Sequence, residues 1–153
     1  MTVPEPPKSV RLALDSSAVL RWVLQEQRWQ VIQRLIDRPD IDLILPGPVL
    51  TEVINLAQRK GNVSAPAQLR STLDIAGMII EPATADDMQR AGELLVMSRA
   101  NPAVSGDKNM TLSLGDSLIL AVTARLGCQI VTIDRHWTFL ADKGLLPVKI
   151  NQL

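Results

Sequence analysis

The sequence predicts an α/β protein built on a parallel sheet, and three observations predict it. Short apolar runs rich in Val, Ile and Leu alternate with stretches of helical periodicity along most of the chain. Proline and glycine punctuate the junctions, at Pro46-Gly47-Pro48, Gly61 and Pro66. Four acids, Asp15, Glu52, Asp116 and Asp134, fall where strands end or helices begin. In an open parallel sheet the carboxyl ends of the strands share one edge, where sites form. Acids 37, 64 and 18 residues apart in the chain can therefore meet in one cleft.

The elements follow in order. MTVPEPPKS, with three prolines in nine residues, reads as a loose leader over residues 1–9. Val10–Asp15 reads as a buried strand, and Ser16–Gln25 as a helix starting directly on it. Trp29–Arg38 is amphipathic, with Trp29, Ile32 and Ile36 at helical spacing. Ile41–Leu45 is a second strand, closed by Pro46-Gly47-Pro48. Pro48 suits the first turn of a helix, where a missing N–H costs nothing, and that helix runs to about Lys60 before Gly61. Ser64–Ala76 is a further helix, and Met78–Glu81 a third strand. Thr84 to Asp87 forms a capping box for a helix through Arg99. Asn101 to Thr111 is a long polar loop. Leu114–Leu126 is an apolar helix, Gln129–Asp134 a strand, His136–Lys143 a short helix and Val148–Asn151 a last strand. There is no repeat and no interior linker, so residues 10–153 are expected to form one domain.

Composition narrows the function. Hydrophobic residues make up 46% of 153, enough for a core and too many for general disorder. The net charge is zero, so no global basic field advertises nucleic acid, and any such contact must be local. Arg21, Lys60, Lys108 and Arg135 flank the acid segments and are candidate phosphate contacts. No apolar run reaches the roughly 20 residues that span a bilayer, and the N-terminus has no secretory pattern. The lone Cys128 has no intrachain partner, which fits a reducing cytosol, and reads as a small buried hydrophobe.

Each acid has an ordinary reading beside a functional one. Asp15 ends an apolar strand and is a good helix N-cap, but Ser16 and Ser17 are capping alternatives that would free its carboxylate. Ser17 can also hydrogen-bond a neighbouring carboxylate. Glu52 lies at the edge of a polar helix face, where a boundary Glu is unremarkable. Asp116 fits the S-x-x-D helix start at Ser113. Its helix is apolar nearly all round, so that carboxylate sits at the end of a buried element and needs a partner. Asp134 follows QIVTI, and Thr132 shares its face of the strand, two residues away, where its hydroxyl would orient a carboxylate. His136, the only histidine, reads as a surface turn residue. Trp22, Trp29 and Trp137 read as core or interface rather than a base-stacking platform. Clustered carboxylates repel one another, and a hard divalent cation with oxygen ligands is the natural companion.

The pattern LDSSAVL at Asp15, Glu52 on an early helix, and LGDSLILAVTARLG running into VTIDRHW resembles the PIN-domain nucleases, most closely VapC-type toxins of toxin–antitoxin pairs. The resemblance spans roughly Val10 to Ile150. It departs from the family in the long polar segment 101–111 and in Trp137, where Phe is commoner. It implies a three-layer α/β/α sandwich around about five parallel strands. It also implies a metal-dependent endoribonuclease in which Asp15, Glu52, Asp116 and Asp134 hold one or two Mg²⁺ or Mn²⁺ ions, with Ser17 and Thr132 in support and Asp134 the most variable member. Cleavage by water would leave a 5′-phosphate and a 3′-hydroxyl. The expected partners are an RNA substrate, a small antitoxin and a second copy of the chain, with a cytoplasmic location and no membrane or organic cofactor. Amphipathic stripes at Trp22/Val23 and Trp29/Ile32/Ile36 are candidate seats for a partner helix. Two other classes compete. One is a PIN-like module that binds RNA or protein without cutting. The other is an aspartyl phosphotransferase, against which Ser17 stands where a second acid belongs.

Overall fold

The computed structural model describes residues 2–3, 9–105 and 108–153, so most of the expected leader and part of the polar segment lie outside it. Five strands form one parallel sheet: β1 (Val10–Leu14), β2 (Ile41–Pro46), β3 (Ile79–Glu81), β6 (Gln129–Thr132) and β7 (Ile150–Gln152), in the order β3-β2-β1-β6-β7. Seven helices among the described residues flank it: α1 (Ser16–Val23), α2 (Trp29–Ile36), α3 (Gly47–Arg59), α4 (Pro66–Ile75), α5 (Ala85–Ala100), α6 (Leu114–Leu126) and α7 (Arg135–Asp142). Helices α1, α2 and α3 pack together, as do α5 and α6, giving the expected three-layer α/β/α arrangement. The α/β class and the five-stranded sheet therefore stand as expected.

The order of strands matters for the site. The chain leaves β1 on one side through β2 and β3, then returns to its other side with β6. Register pairs Val10 with Ile41 on one flank and Leu12 with Gln129 on the other. The reversal opens a crevice beyond the carboxyl ends of β1 and β6, the usual place for ligands in such sheets. The Asp15 amide donates to the Val131 carbonyl at 3.0 Å, which ties the start of the crevice to β6.

Local chemistry explains most element boundaries. Thr84 and Asp87 exchange hydrogen bonds as a capping box on α5, at 2.9 and 3.1 Å. Ser113 and Asp116 do the same on α6, both at 3.1 Å. Pro48 sits in the first turn of α3. Gly127 closes α6 in the left-handed region at φ 63°, a conformation that favours glycine. In α6, Ile119, Leu120, Ala121 and Val122 are all fully buried, so this helix lies between the sheet and α5 rather than on a surface. Each such Ile or Leu contributes about 1.5–3 kcal/mol. Thr123 within this run satisfies its hydroxyl on the Ile119 carbonyl at 2.7 Å.

Three expectations need correction. Residues 101–111 are not simply a loop: β4 (Ala103–Ser105) and β5 (Lys108–Met110) pair antiparallel as a separate two-stranded hairpin. Three residues per strand are too few for an alternating pattern to show in sequence. The stripe on α2 is not a free seat, because Ile32 is fully buried in the chain's own core and Trp22 donates to Gln33 at 2.7 Å. His136 is not a surface residue. It is 5% exposed and stacks on Phe139, with centroids 6.3 Å apart, in the first turn of α7. Trp137 is core, as read from the sequence, and fully buried. Cys128 is half-buried, and burial raises its thiol pKa, which fits an unreactive thiol.

Candidate active site

All four sequence-selected acids come to the crevice edge. Asp15 follows β1, Glu52 lies in the second turn of α3, Asp116 in the first turn of α6, and Asp134 between β6 and α7. Asp15 occupies the N-cap position of α1 but makes no side-chain capping bond. Its carboxylate, 3% exposed, instead accepts from the Ser17 and Thr132 hydroxyls, both at 2.8 Å on Oδ2. Thr132 also accepts from the Asp134 amide at 3.0 Å, and Ser17 from the Ile133 amide at 3.2 Å. The two hydroxyls expected to support the site thus bind Asp15 to the β6–α7 turn. Thr132 orients Asp15 rather than the Asp134 carboxylate.

Two residues passed over in the sequence reading complete the arrangement. Ser16, considered only as a helix cap, donates to Glu52 Oε2 at 2.6 Å and lies 3.4 Å from Asp15 Oδ1, joining the first two acids. Gly115 lies under Glu52, and a methyl group there would overlap the Glu52 carboxylate. The overlap is with the end of a flexible side chain, so a larger residue at 115 would push the Glu52 carboxylate aside. The signal was present in LGD, a glycine where an apolar helix begins.

Electrostatics show that these acids share a field. Burial pushes Asp15 up to about 6, with the negative charge of Asp116 adding to it and the Thr132 and Ser17 hydroxyls opposing. Glu52 is raised by burial and by the Asp116 charge, against its Ser16 bond. Asp116 is raised by burial and by the Asp134 charge, against the Ser113 amide and hydroxyl and the Trp137 indole. Asp116 is therefore close enough to feel or act on each of the other three. Among the described residues, no Arg or Lys forms an ion pair with any of the four.

The donor set is all oxygen, carboxylate and hydroxyl, which suits a hard divalent cation and not a thiophilic one. The fit is incomplete as the side chains stand. Among the described residues, no three Asp, Glu, His or Cys side chains are arranged to hold an ion. Three of the four have bonds of their own: Asp116 is engaged by Ser113, Asp134 accepts from the His136 amide at 2.9 Å, and Glu52 is held by Ser16. The helix-start reading of Asp116 thus holds alongside its place in the cluster, and Asp134 also caps α7.

Two recesses adjoin the acids. A mostly apolar groove of about 830 Å³ between α3, α5 and α6 is lined by Pro48, Met88, Leu95 and Leu118 and opens on Glu52 and Gly115. A cleft of about 290 Å³ beside Ser16 and Ser17 carries Arg21 and Lys60. Lys60 pairs there with Glu26 at 3.1 Å, and Arg21 donates to the Gln27 carbonyl at 2.7 Å. Arg135 is exposed, and the Lys108 side chain lies outside the described residues. A polar recess at Asp86, Arg90 and Arg125 contains none of the four acids. Among the described residues, no helix is long and apolar enough to cross a membrane.

Comparison with known proteins agrees with this geometry. No curated protein matches the chain in sequence. Among solved structures, VapC20 of Mycobacterium tuberculosis, a sarcin–ricin-loop-cleaving toxin, is 21% identical with a TM-score of 0.63, covering 90% of this chain and 98% of its own. VapBC2 of Rickettsia felis, bound to a DNA fragment from its promoter, has a TM-score of 0.63 at 14% identity, covering 94% of this chain and 99% of that one. VapBC-5 of Mycobacterium tuberculosis, of the VapBC family of toxin–antitoxin systems, is 21% identical with a TM-score of 0.57, covering 94% and 99%. At such identities the likeness is one of fold. Residues 12–143, from the middle of β1 to just past α7, match the PIN domain, and with the sheet order and the acid edge they show that the chain belongs to the PIN domain family.

Proposed function

We propose that this protein is a metal-dependent endoribonuclease, the toxin of a VapBC-like pair, with residues 10–153 acting as one domain. The observation that carries the reading is Asp15: a buried carboxylate fixed by two hydroxyls, within the field of Asp116, and paired with no Arg or Lys among the described residues. Asp15, Glu52, Asp116 and Asp134 would hold one or two Mg²⁺ or Mn²⁺ ions. Bound there, the cation would supply an activated water nucleophile and offset charge on the phosphoryl group. The chain's own residues do the rest. Ser17 and Thr132 keep Asp15 oriented, Ser16 steers Glu52, and Gly115 leaves room for it. Arg21 and Lys60, in the cleft next to Ser16 and Ser17, would contact flanking phosphates of an RNA strand. A small antitoxin would cover the apolar groove that opens on Glu52, and the active form would be a cytoplasmic homodimer.

The test uses purified protein and RNA. Cleavage should disappear in EDTA, return with Mn²⁺ or Mg²⁺, and leave 5′-phosphate ends; undiminished cutting in excess EDTA would sink the metal mechanism. Induced alone in a bacterium the protein should arrest growth, with relief by the antitoxin encoded beside it. Harmless accumulation of intact, folded protein would remove the toxin assignment. A second reading, a PIN-fold module that binds without cutting, draws on the absence of three ready-set ligands among the described residues. Failure to bind Mn²⁺ would favour it.

A further inference from the structure

The three tryptophans, read from the sequence as core or interface, part company in the fold. Trp137 is fully buried and Trp22 packs against the core, whereas Trp29 is partly exposed and lies outside the core cluster. Trp22 and Trp29 line a recess of about 250 Å³ between α1, α2 and α4, together with Gln25, Gln33, Asn62 and Ser64. It is smaller than the roughly 300–1,000 Å³ of drug-sized sites. Its lining mixes aromatic rings with amides, which suits one flat ring system with polar edges and not an apolar helix. The Trp22 ring is fixed, since Nε1 donates to Gln33 Oε1 at 2.7 Å and Gln33 donates on to Asp37 at 2.9 Å. Asn62 accepts from the Ser64 amide through Oδ1 at 2.8 Å, so its NH₂ is the group it can offer a ligand.

The recess adjoins the cleft beside the acids. Arg21, Glu26 and Lys60 line the cleft, and Trp22, Gln25 and Asn62 line the recess, so the end of α1, the α1–α2 turn and the end of α3 form a wall common to both. From Ser17 to Trp22 is about 7.5 Å along the axis of α1, or about two nucleotides at the ~3.4 Å rise of a stacked strand. The dividing turn is strained: Gln25 and Arg28 are left-handed at φ 50° and 69°, uncommon for residues other than glycine. Arg21 holds the turn through the Gln27 carbonyl and Lys60 through Glu26, and each keeps donors beyond these bonds. Strain kept in place by its surroundings gathers at binding sites. We propose that this recess takes one unpaired base of the RNA strand, stacked on Trp29, while Arg21 and Lys60 hold the phosphates between that base and the acids. The inference rests on the ribonuclease reading above and adds to it a determinant of which strands are cut. Unpaired bases are recognised in this way, on aromatic faces and through hydrogen bonds to their edges.

The test separates the base from the backbone. Binding of labelled uridine and adenosine hexaribonucleotides, and of an abasic strand of the same length and charge, is measured in EDTA for wild type and Trp29→Ala. The expected result is a loss of about fivefold to a hundredfold for Trp29→Ala on the strands with bases, the usual worth of one stacked base, and no loss on the abasic strand. Trp29→Phe, which keeps a ring, should lose less. If Trp29→Ala folds poorly, ¹⁹F spectra of wild-type protein carrying fluorotryptophan give a second measurement. The Trp29 signal should move with a base-bearing strand and stay with the abasic one, and the Trp137 signal should stay with both. Equal losses on both kinds of strand, or wild-type affinity in Trp29→Ala, would overturn the base pocket. So would unchanged RNA binding beside weakened binding of the antitoxin, which would make the recess a protein seat. Mn²⁺-dependent cleavage by wild type in any of these cases leaves the ribonuclease reading standing. A wild-type protein that neither binds nor cuts RNA would overturn both.

Discussion

Replacing Asp15 by asparagine removes one charge from the crevice and should make the metal-free protein more stable. The pKa of Asp15 rises from 3.8 to about 6, chiefly through burial. At about 1.4 kcal/mol per pKa unit, ionising it in place costs about 3 kcal/mol. Little discount for solvent applies, because the side chain is 3% exposed. The folded protein holds this proton more tightly than the unfolded chain does. The resulting stabilisation is complete below about pH 3.8 and is lost as pH rises through about 6. An asparagine escapes that loss, and its oxygen can accept from Ser17 and Thr132 as Oδ2 does now, both at 2.8 Å. Allowing for imperfect replacement, Asp15→Asn should gain about 1–3 kcal/mol above pH 7, or about 3–9 °C in melting temperature for a chain of this size. The gain should vanish near pH 4. Calorimetric melting in EDTA from pH 4 to 8 measures it, with the wild-type curve as reference. Adding Mn²⁺ at a hundred times its dissociation constant should raise wild-type stability by about 2.7 kcal/mol and the variant much less. An Asp15→Asn protein less stable than wild type at pH 7.5, or one with the same pH dependence, would refute the reasoning. Asp15 would then be a structural carboxylate stabilised by its bonds.

Two further predictions concern neighbours of the acids. Gly115→Ala should cost little stability, since alanine is the better helix former by about 1 kcal/mol. Its methyl would displace Glu52, so RNA cleavage should fall by about a hundredfold; a variant cutting at the wild-type rate would show that Glu52 has room to move. Arg125→Ala removes the guanidinium that holds Asp87, Glu81 and the Pro82 carbonyl, all at 3.0–3.1 Å. Asp87 is 3% exposed at its side chain and Arg125 32%, so water would relieve part of the orphaned charge, leaving a loss of about 2–3 kcal/mol. Arg125 is in the last turn of α6 and Asp116 in its first, about 13 Å apart along the axis. Mn²⁺ affinity should therefore not change; melting and calorimetry on one sample check both halves.

Much of this protein is written in interactions between near neighbours in the chain. The capping boxes Thr84/Asp87 and Ser113/Asp116 span three residues, and the apolar run Leu118–Leu126 announces a buried helix without help from elsewhere. These features rest on local hydrogen bonding and on periodicity, so the alternation of strands and helices and the place of each acid at a strand or helix end were legible beforehand. The site's connections were not. Thr132 reaches Asp15 across 117 residues, and Ser16 reaches Glu52 across 36. Which hydroxyl meets which carboxylate depends on the strand order β3-β2-β1-β6-β7, which local pattern does not encode. The same holds for burial. His136 and Trp137 sit in a short segment of mixed character, and only the packing of α7 turns both inward. Tertiary structure decided these matters because desolvation and repulsion are set by whatever surrounds a side chain. The same aspartate is an ordinary helix cap in one setting and, with three other acids gathered at one sheet edge, part of a candidate catalytic cluster in another.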